Sequence, residues 1–298
     1  MLAIVIPYYK YDFFEETLQS LASQTNKHFH VYIGDDASVT SPIILLERFQ
    51  GQFPFSYYRF KSNLGGTSLV QQWNRCLDLV QNETWLQILG DDDTISANLV
   101  QSFYDNLEAV ENENCSVIRF ASQVIDEYGN MISDVYQHPT IENATDFLIR
   151  KCNGGTRSSL SEHFFKKEKV DTIQFKDFPL AWHSDVLAVL EFTQFKTIYT
   201  INEALVYFRL SGKNITSKTD DLGLKNLATF SFYSYLLRVY GKQLSDELVQ
   251  LLFDRLEKTH LDNKKYLKNW FVLFEFYVKF FQINRFLLLS SKIKKSIR

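Results

Sequence analysis

An α/β fold, with a mostly parallel sheet flanked by helices and a helical C-terminal extension, is what this 298-residue sequence predicts. Three observations carry that expectation. Apolar runs of strand length alternate with segments of helical periodicity over roughly the first 100 residues. Acidic residues directly follow two of those runs, as Asp35-Asp36 and as Asp91-Asp92-Asp93. Past Asp220 there is no proline, and apolar residues recur at helical spacing.

Residues 2–6 (LAIVI) form a continuous apolar run, the signature of a parallel strand buried on both faces. Over 13–23, Phe14, Leu18 and Leu21 recur at helical spacing. Residues 30–34 read as a second strand, 43–49 as a helix and 55–60 as a third strand. A glycine turn, Asn63-Leu64-Gly65-Gly66, precedes a helix carrying Trp73, Cys76, Leu77 and Val80. Residues 84–89 are a fourth strand, stopped by Gly90 and the acidic triplet. Carboxylates after strands two and four lie at the carboxyl edge of the sheet, where open α/β folds place ligands. In the middle of the chain 116–121 and 122–126 read as strands with a turn at 127–130, 153–156 as a loop, 184–192 as a helix and 197–209 as strand. The expected division is a catalytic domain over 1–220 and a helical region over 221–298.

Composition narrows the function. A net charge of -3 gives no support to nucleic-acid binding. Three widely spaced cysteines, Cys76, Cys115 and Cys152, form neither a zinc pattern nor a disulfide framework, which points to a reducing compartment. The opening run is too short for a signal-peptide core and lacks a basic leader, so a cytoplasmic location is expected.

Three adjacent carboxylates repel one another and cost stability unless a cation or solvent compensates. Their hard oxygens suit Mg²⁺ or Mn²⁺ shared with substrate phosphates; the competing reading is an acidic turn that caps the next helix. Asp35-Asp36 fits hydrogen bonding to a nucleotide's base or ribose, or helix capping ahead of Ser41-Pro42. Pro7-Tyr8-Tyr9-Lys10 follows strand one where a dinucleotide-binding glycine turn would stand, and a Walker A sequence is absent. A carboxylate-bound metal is then the natural phosphate partner.

Four motifs stand in order: Ala3-Ile4-Val5-Ile6-Pro7-Tyr8-Tyr9; Ser20-Leu21-Ala22-Ser23-Gln24-Thr25 with Val31 to Ser38 (VYIGDDAS); Asn63-Leu64-Gly65-Gly66 with Trp73-Asn74; and Leu89-Gly90-Asp91-Asp92-Asp93. A late motif runs from Tyr207-Phe208-Arg209 through Ser211-Gly212-Lys213-Asn214-Ile215-Thr216-Ser217. Together these resemble family 2 glycosyltransferases of the GT-A type, a Rossmann-like fold, over residues 1 to 217. The resemblance implies that Pro7 and Tyr9 line a base pocket, Asp36 hydrogen-bonds the base, Asp91 lies beside the sugar or ribose, and Asp92 binds the metal with Asp93 supporting. Asn63, Gly65 and Arg209 join the substrate contacts through their motifs. Gly90 departs from the family's usual Asp-x-Asp-Asp, which leaves the direct ligand open among the three carboxylates, with Asp92 favoured.

The resemblance also implies a downstream carboxylate base. Asp177 and Asp185 are the candidates; Asp185, in Trp182-His183-Ser184-Asp185 before a helix, fits the family pattern better, though capping that helix is the alternative. His183 touches metal or phosphate, or is an ordinary polar residue, and Arg157 belongs to the acceptor side. The implied activity is inverting transfer of a sugar from a nucleoside-diphosphate donor, UDP favoured, to a glycan or lipid-linked acceptor, as in capsule or lipopolysaccharide synthesis. The alternatives are a nucleotidyltransferase and a non-catalytic nucleotide-sugar-binding module. Finally, the aromatic stretch 270–289 is interrupted by Glu275, Lys279 and Arg285, which argues against a membrane span. With Lys292, Lys294, Lys295 and Arg298 beside it, the stretch suits contact with an anionic membrane surface or packing as an amphipathic helix.

Overall fold

Strand β1 (Leu2–Tyr8) is buried along nearly all its length and pairs in parallel with β2 (Phe29–Asp35) on one side and β4 (Trp85–Ile88) on the other. Burial on both faces is why its sequence is continuously apolar rather than alternating. β3 (Phe55–Arg59) adds a fourth parallel strand beyond β2. Helix α1 (Phe14–Ala22) buries Phe14, Leu18 and Leu21 on its sheet-facing stripe, and the short α2 (Ile43–Glu47) buries Leu45 and Leu46. Helix α3 (Leu69–Leu77) begins at an N-cap in which Ser68 Oγ accepts from Gln71 N at 3.1 Å. It approaches β2 so closely that a Cβ on Gly34 would lie 2.3 Å from Cys76 Sγ, so only glycine fits there.

The computed structural model describes residues 1–212, 214–262 and 267–297. Contacts divide the chain into two units, Met1–Asp177 with Ser184–Lys218, and Phe178–His183 with Thr219–Arg298.

The first unit continues past β4 as β5 (Thr94–Ile95), α4 (Leu99–Asn112), β6 (Val117–Ile125), β7 (Ile141–Asn143), α5 (Ala144–Cys152), β8 (His163–Lys166), α6 (Lys167–Ile173), α7 (Ser184–Phe192) and β9 (Thr197–Arg209). The strand order is β3-β2-β1-β4-β8-β6-β9-β5, with β7 also on β9. β8 runs antiparallel between β4 and β6, so the parallel half ends at β4 and the other half is mixed. The two strands read at 116–121 and 122–126 are one strand, β6, buried throughout. Its register against β9 shifts between Phe120 and Ala121 without ending the strand. β5, β7 and β8 are two to four residues long, too short for a periodic pattern to announce them. Cys76 and Cys115 are buried free thiols, and Cys152 is half-buried and free.

The mixed half encloses a polar interior. Arg119 of β6 is fully buried, and its Nη2 donates to Glu142 Oε2 at 2.8 Å and Thr200 Oγ1 at 2.9 Å. His138 Nδ1 faces Arg150 Nη2 at 2.9 Å; the guanidinium only donates, so the neutral ring carries its proton on Nε2. His163 Nδ1 donates to the Ser159 carbonyl at 2.8 Å. Burial, joined at His138 by Arg119 and Arg150, lowers His138 to about 2; burial lowers His163 to about 4 despite the opposing charge of Glu162. Both rings are therefore neutral in the folded state, while the unfolded chain protonates them near 6.5. Their contribution is complete above that value and is lost as pH falls below it, at up to about 1.4 kcal/mol per pH unit for each ring. The carboxyls of Asp91 and Asp93, which burial raises, slope stability the other way, so the difference between chains is the test: in urea unfolding His163→Gln is expected to gain stability relative to the parent as pH falls from 6.5 toward 4. An unaltered slope in that variant would remove His163 from the account.

The second unit contains the 3₁₀ turn Pro179–Ala181, α8 (Leu222–Val239), α9 (Asp246–Asp262), α10 (Leu267–Lys279) and α11 (Ile283–Ile297). Its core includes Leu236, Leu252, Phe253, Leu256, Leu273 and Phe276. No described helix is long and apolar enough to cross a membrane. Lys213 of the late motif and Arg298 lie outside the described residues, as do the side chains of Lys292, Lys294 and Lys295.

Candidate active site

The site follows from the strand order. β1 lies between β2 and β4, so the chain leaves these neighbours in opposite directions and opens a crevice at their carboxyl ends. Tyr9-Lys10 after β1 and Gly90 to Asp93 after β4 meet there. Asp91 Oδ2 accepts from both Tyr9 N and Lys10 N at 2.7 Å, tying the β1 loop to the triplet. Asp93 is held from two other directions: its Oδ2 accepts from Ser161 Oγ at 2.5 Å and its Oδ1 from Arg209 N at 3.0 Å. Thr17 Oγ1 donates to the Asp93 carbonyl at 2.8 Å. Gly90 leaves little room for a side chain, since a Cβ there would meet Asp93 Oδ2 at 3.0 Å and Asp92 Oδ1 at 3.1 Å.

Asp92 differs from its neighbours. Its Oδ2 is buried without a hydrogen-bond partner, and the nearest cation, Lys10 Nζ, is 4.0 Å away. Burial pushes all three carboxyls up, Asp91 to about 6 and Asp93 to about 7, with the charge of Asp92 the next cause in both. Asp92 is raised by burial, opposed by Lys10 and then Arg209. Such a cluster disfavours its own ionisation, and a hard cation relieves it. Among the described residues no three His, Cys, Asp or Glu side chains converge on one point. The site therefore fits an ion held by one or two carboxylates and completed by substrate phosphates, the usual manner for Mg²⁺. Of the two carboxylates expected to ligate metal, Asp93 accepts one hydrogen bond at each oxygen, while Asp92 Oδ2 accepts none.

Two expected substrate contacts have other work. Arg209 is fully buried, and its guanidinium donates to the carbonyls of Asp92 (2.9 Å), Asp126 (3.1 Å) and Glu127 (3.3 Å) and to the Glu16 carboxylate. It braces the triplet from behind. Asp36 accepts from Leu64 N at 2.7 Å, Gly65 N at 2.8 Å, Asn63 Nδ2 at 3.0 Å and the Arg75 guanidinium. Four donors use its acceptor positions, so its carboxylate shapes the glycine turn and leaves none over for a base in this arrangement. Asn63 and Gly65 belong to that same turn; a Cβ on Gly65 would lie 2.7 Å from Asp36 Oδ2. Pro7 is half-buried within β1, and Tyr9 is 45 % exposed, with a ring free to stack on a planar ligand.

Asp185 stands in the first turn of α7, half-buried. Burial pushes its carboxyl up; Lys151 opposes that and Glu162 adds to it. Glu162 connects this position to the triplet. Its Oε2 accepts from Arg157 Nη1 at 3.1 Å and Ser159 Oγ at 2.9 Å, and the adjacent Ser161 holds both Asp93 and Gly90 N, the latter at 3.1 Å. Ser161 and Glu162 were not marked by the sequence, where only a short polar run, 156–162, precedes β8. Asp177 instead accepts from Ser68 Oγ at 2.7 Å, at the cap of α3. His183 belongs to the helical unit, where its ring stacks on Phe232 at 4.8 Å and its Nε2 meets Thr229 Oγ1 at 3.1 Å.

Residues 3–164 match the profile of glycosyl transferase family 2. No curated protein matches the chain. Among solved structures it is similar to S. aureus TarS 1-349 in complex with UDP-GlcNAc, at a TM-score of 0.66 and 16 % identity, over 94 % of this chain and 80 % of that one. TarS 1-349 alone gives 0.62 at 12 % identity, over 93 % and 80 %. Its complex with UDP gives 0.55 at 13 %, over 87 % and 82 %. At such identities the likeness is one of fold, a GT-A type sheet with C-terminal helices.

Proposed function

Because the chain belongs to glycosyl transferase family 2, we propose that it transfers one sugar from a UDP-sugar to an acceptor hydroxyl with inversion at the anomeric carbon, in the synthesis of a surface glycan. The observation that carries the reading is Asp92 Oδ2, the uncommitted buried oxygen at the switch point between β1 and β4. The choice of uridine draws on the TarS complexes with UDP-GlcNAc and UDP. Family membership displaces the nucleotidyltransferase alternative.

The exposed ring of Tyr9 stacks on the base, and Lys10 meets the diphosphate. Asp92 would hold a divalent cation, Mn²⁺ or Mg²⁺, which would supply positive charge against the departing diphosphate. Asp185 accepts the proton of the acceptor hydroxyl as its oxygen bonds to the anomeric carbon. The bond from that carbon to the diphosphate oxygen breaks, and the electron pair leaves with the diphosphate. A single displacement on the face opposite the leaving group inverts the centre. Arg209, Ser161 and the β1 loop hold the triplet still while charge moves.

The test is thermal unfolding with a panel of nucleotide sugars, each with and without Mn²⁺. A UDP-sugar at about 100 times its Kd adds about 2.7 kcal/mol, which raises Tm by roughly 5–10 °C. That rise is expected for UDP-sugars with metal and is smaller without it. Stabilisation by no UDP-sugar, or by nucleoside triphosphates instead, would overturn the reading.

A further inference from the structure

Helices α10 and α11 are apolar on two sides. Their inward sides are accounted for: Leu273, Phe276 and Tyr277 of α10 are fully buried, the Phe286 ring packs on that of Tyr277 at 5.8 Å, and Arg285 pairs with Asp254 and Glu257 of α9. The outward sides carry large apolar groups in water. Phe271 is 77 % exposed and Phe281, at the bend between the helices, 93 %; Phe274, Val278, Leu287 and Leu288 are exposed as well. Phe271, Phe274 and Val278 recur at helical spacing and so share one side of α10, and a grouped set of exposed apolar residues marks an interaction surface where a scatter of single ones would not.

Charge selects the partner. No acidic residue follows Glu275, and four of the seven residues 292–298 are cationic. A second copy of the same surface would set cation against cation. An anionic bilayer satisfies both features, because aromatic and aliphatic side chains enter the acyl boundary while cations meet the head groups. We propose that the outward face of α10 and α11, with the basic residues that end the sequence from Lys292, binds an anionic lipid surface without spanning it. The inference concerns the helical unit alone and is independent of the donor chemistry.

Co-sedimentation with phosphatidylcholine vesicles, with and without phosphatidylglycerol, at low and high salt tests it. The full chain is expected to sediment with the anionic vesicles, to be released by salt, and to ignore the neutral ones. F271S/F281S replaces two exposed side chains and is expected to lower partitioning at least about 10-fold. K294E/K295E is expected to lower it about 20-fold or more, each cation near the surface being worth roughly a fivefold change. Ile44→Ser, an exposed apolar site on α2, leaves binding unchanged. Absence of binding by the parent, or parental binding in both double variants, overturns the proposal. So does a concentration-dependent dimer in sedimentation equilibrium that F271S/F281S abolishes, since a second copy then covers the face. Circular dichroism establishes that each variant is folded; if F271S/F281S is not, the charge pair decides.

Discussion

Asp92→Asn is expected to lower sugar transfer by about 10³-fold or more, because charge stabilisation worth several kcal/mol depends on the ion that this carboxylate holds. The amide keeps the shape of the side chain and removes its charge. Two further readouts separate this effect from misfolding. In calorimetry the Mn²⁺-dependent part of UDP binding disappears, while any metal-independent part stays. Without metal the variant melts higher than the parent, because a buried carboxylate that repels Asp91 and Asp93 has gone. Relief of about 1 kcal/mol corresponds to roughly 2–4 °C in a chain of this size. A residue that merely braced the loop would give a lower melting temperature. Metal-dependent UDP affinity equal to the parent's would take the metal away from Asp92.

Asp185→Asn is expected to lower transfer by roughly 10² to 10⁴ with donor binding and its metal dependence intact, the usual cost of losing a general base. The pH profile gives the sharper test. Burial raises the Asp185 carboxyl above the ordinary carboxylate range, so the base is protonated, and transfer lost, at a higher pH than an ordinary aspartate would give. The variant's residual rate lacks that acid limb. Transfer near the parental rate would move the base elsewhere, with Asp177→Asn as the next comparison. Asp177 is tied to Ser68 at the cap of α3, so its loss is expected to cost stability first.

Much of the fold was legible because it is written locally. The strand at residues 2–6 is apolar throughout since both its faces are covered, and the helix that follows shows its buried stripe at Phe14, Leu18 and Leu21. β8 was not legible: its four residues occupy a central position only because β4 and β6 flank it. Ser161 stayed hidden for the same reason, since nothing near it in the chain reveals that it adjoins the triplet. His183 stands two residues from Asp185 in sequence, yet its ring packs in the helical unit.

The sequence by itself determined that three carboxylates end a buried strand, that a glycine turn and a second acidic pair accompany them, and that the chain closes in helices. Strand ends, turns and helical stripes are properties of neighbouring residues. How each carboxylate is engaged was decided only in three dimensions. Asp91 Oδ2 accepts from Tyr9 N, and Asp93 from Ser161 and Arg209 N, donors 82, 68 and 116 positions away along the chain. Asp92 Oδ2 is buried with no hydrogen-bond partner, and Lys10 Nζ is 4.0 Å away. The three side chains are identical, so only the sheet order, which sets the distant donors that reach each one, could distinguish them.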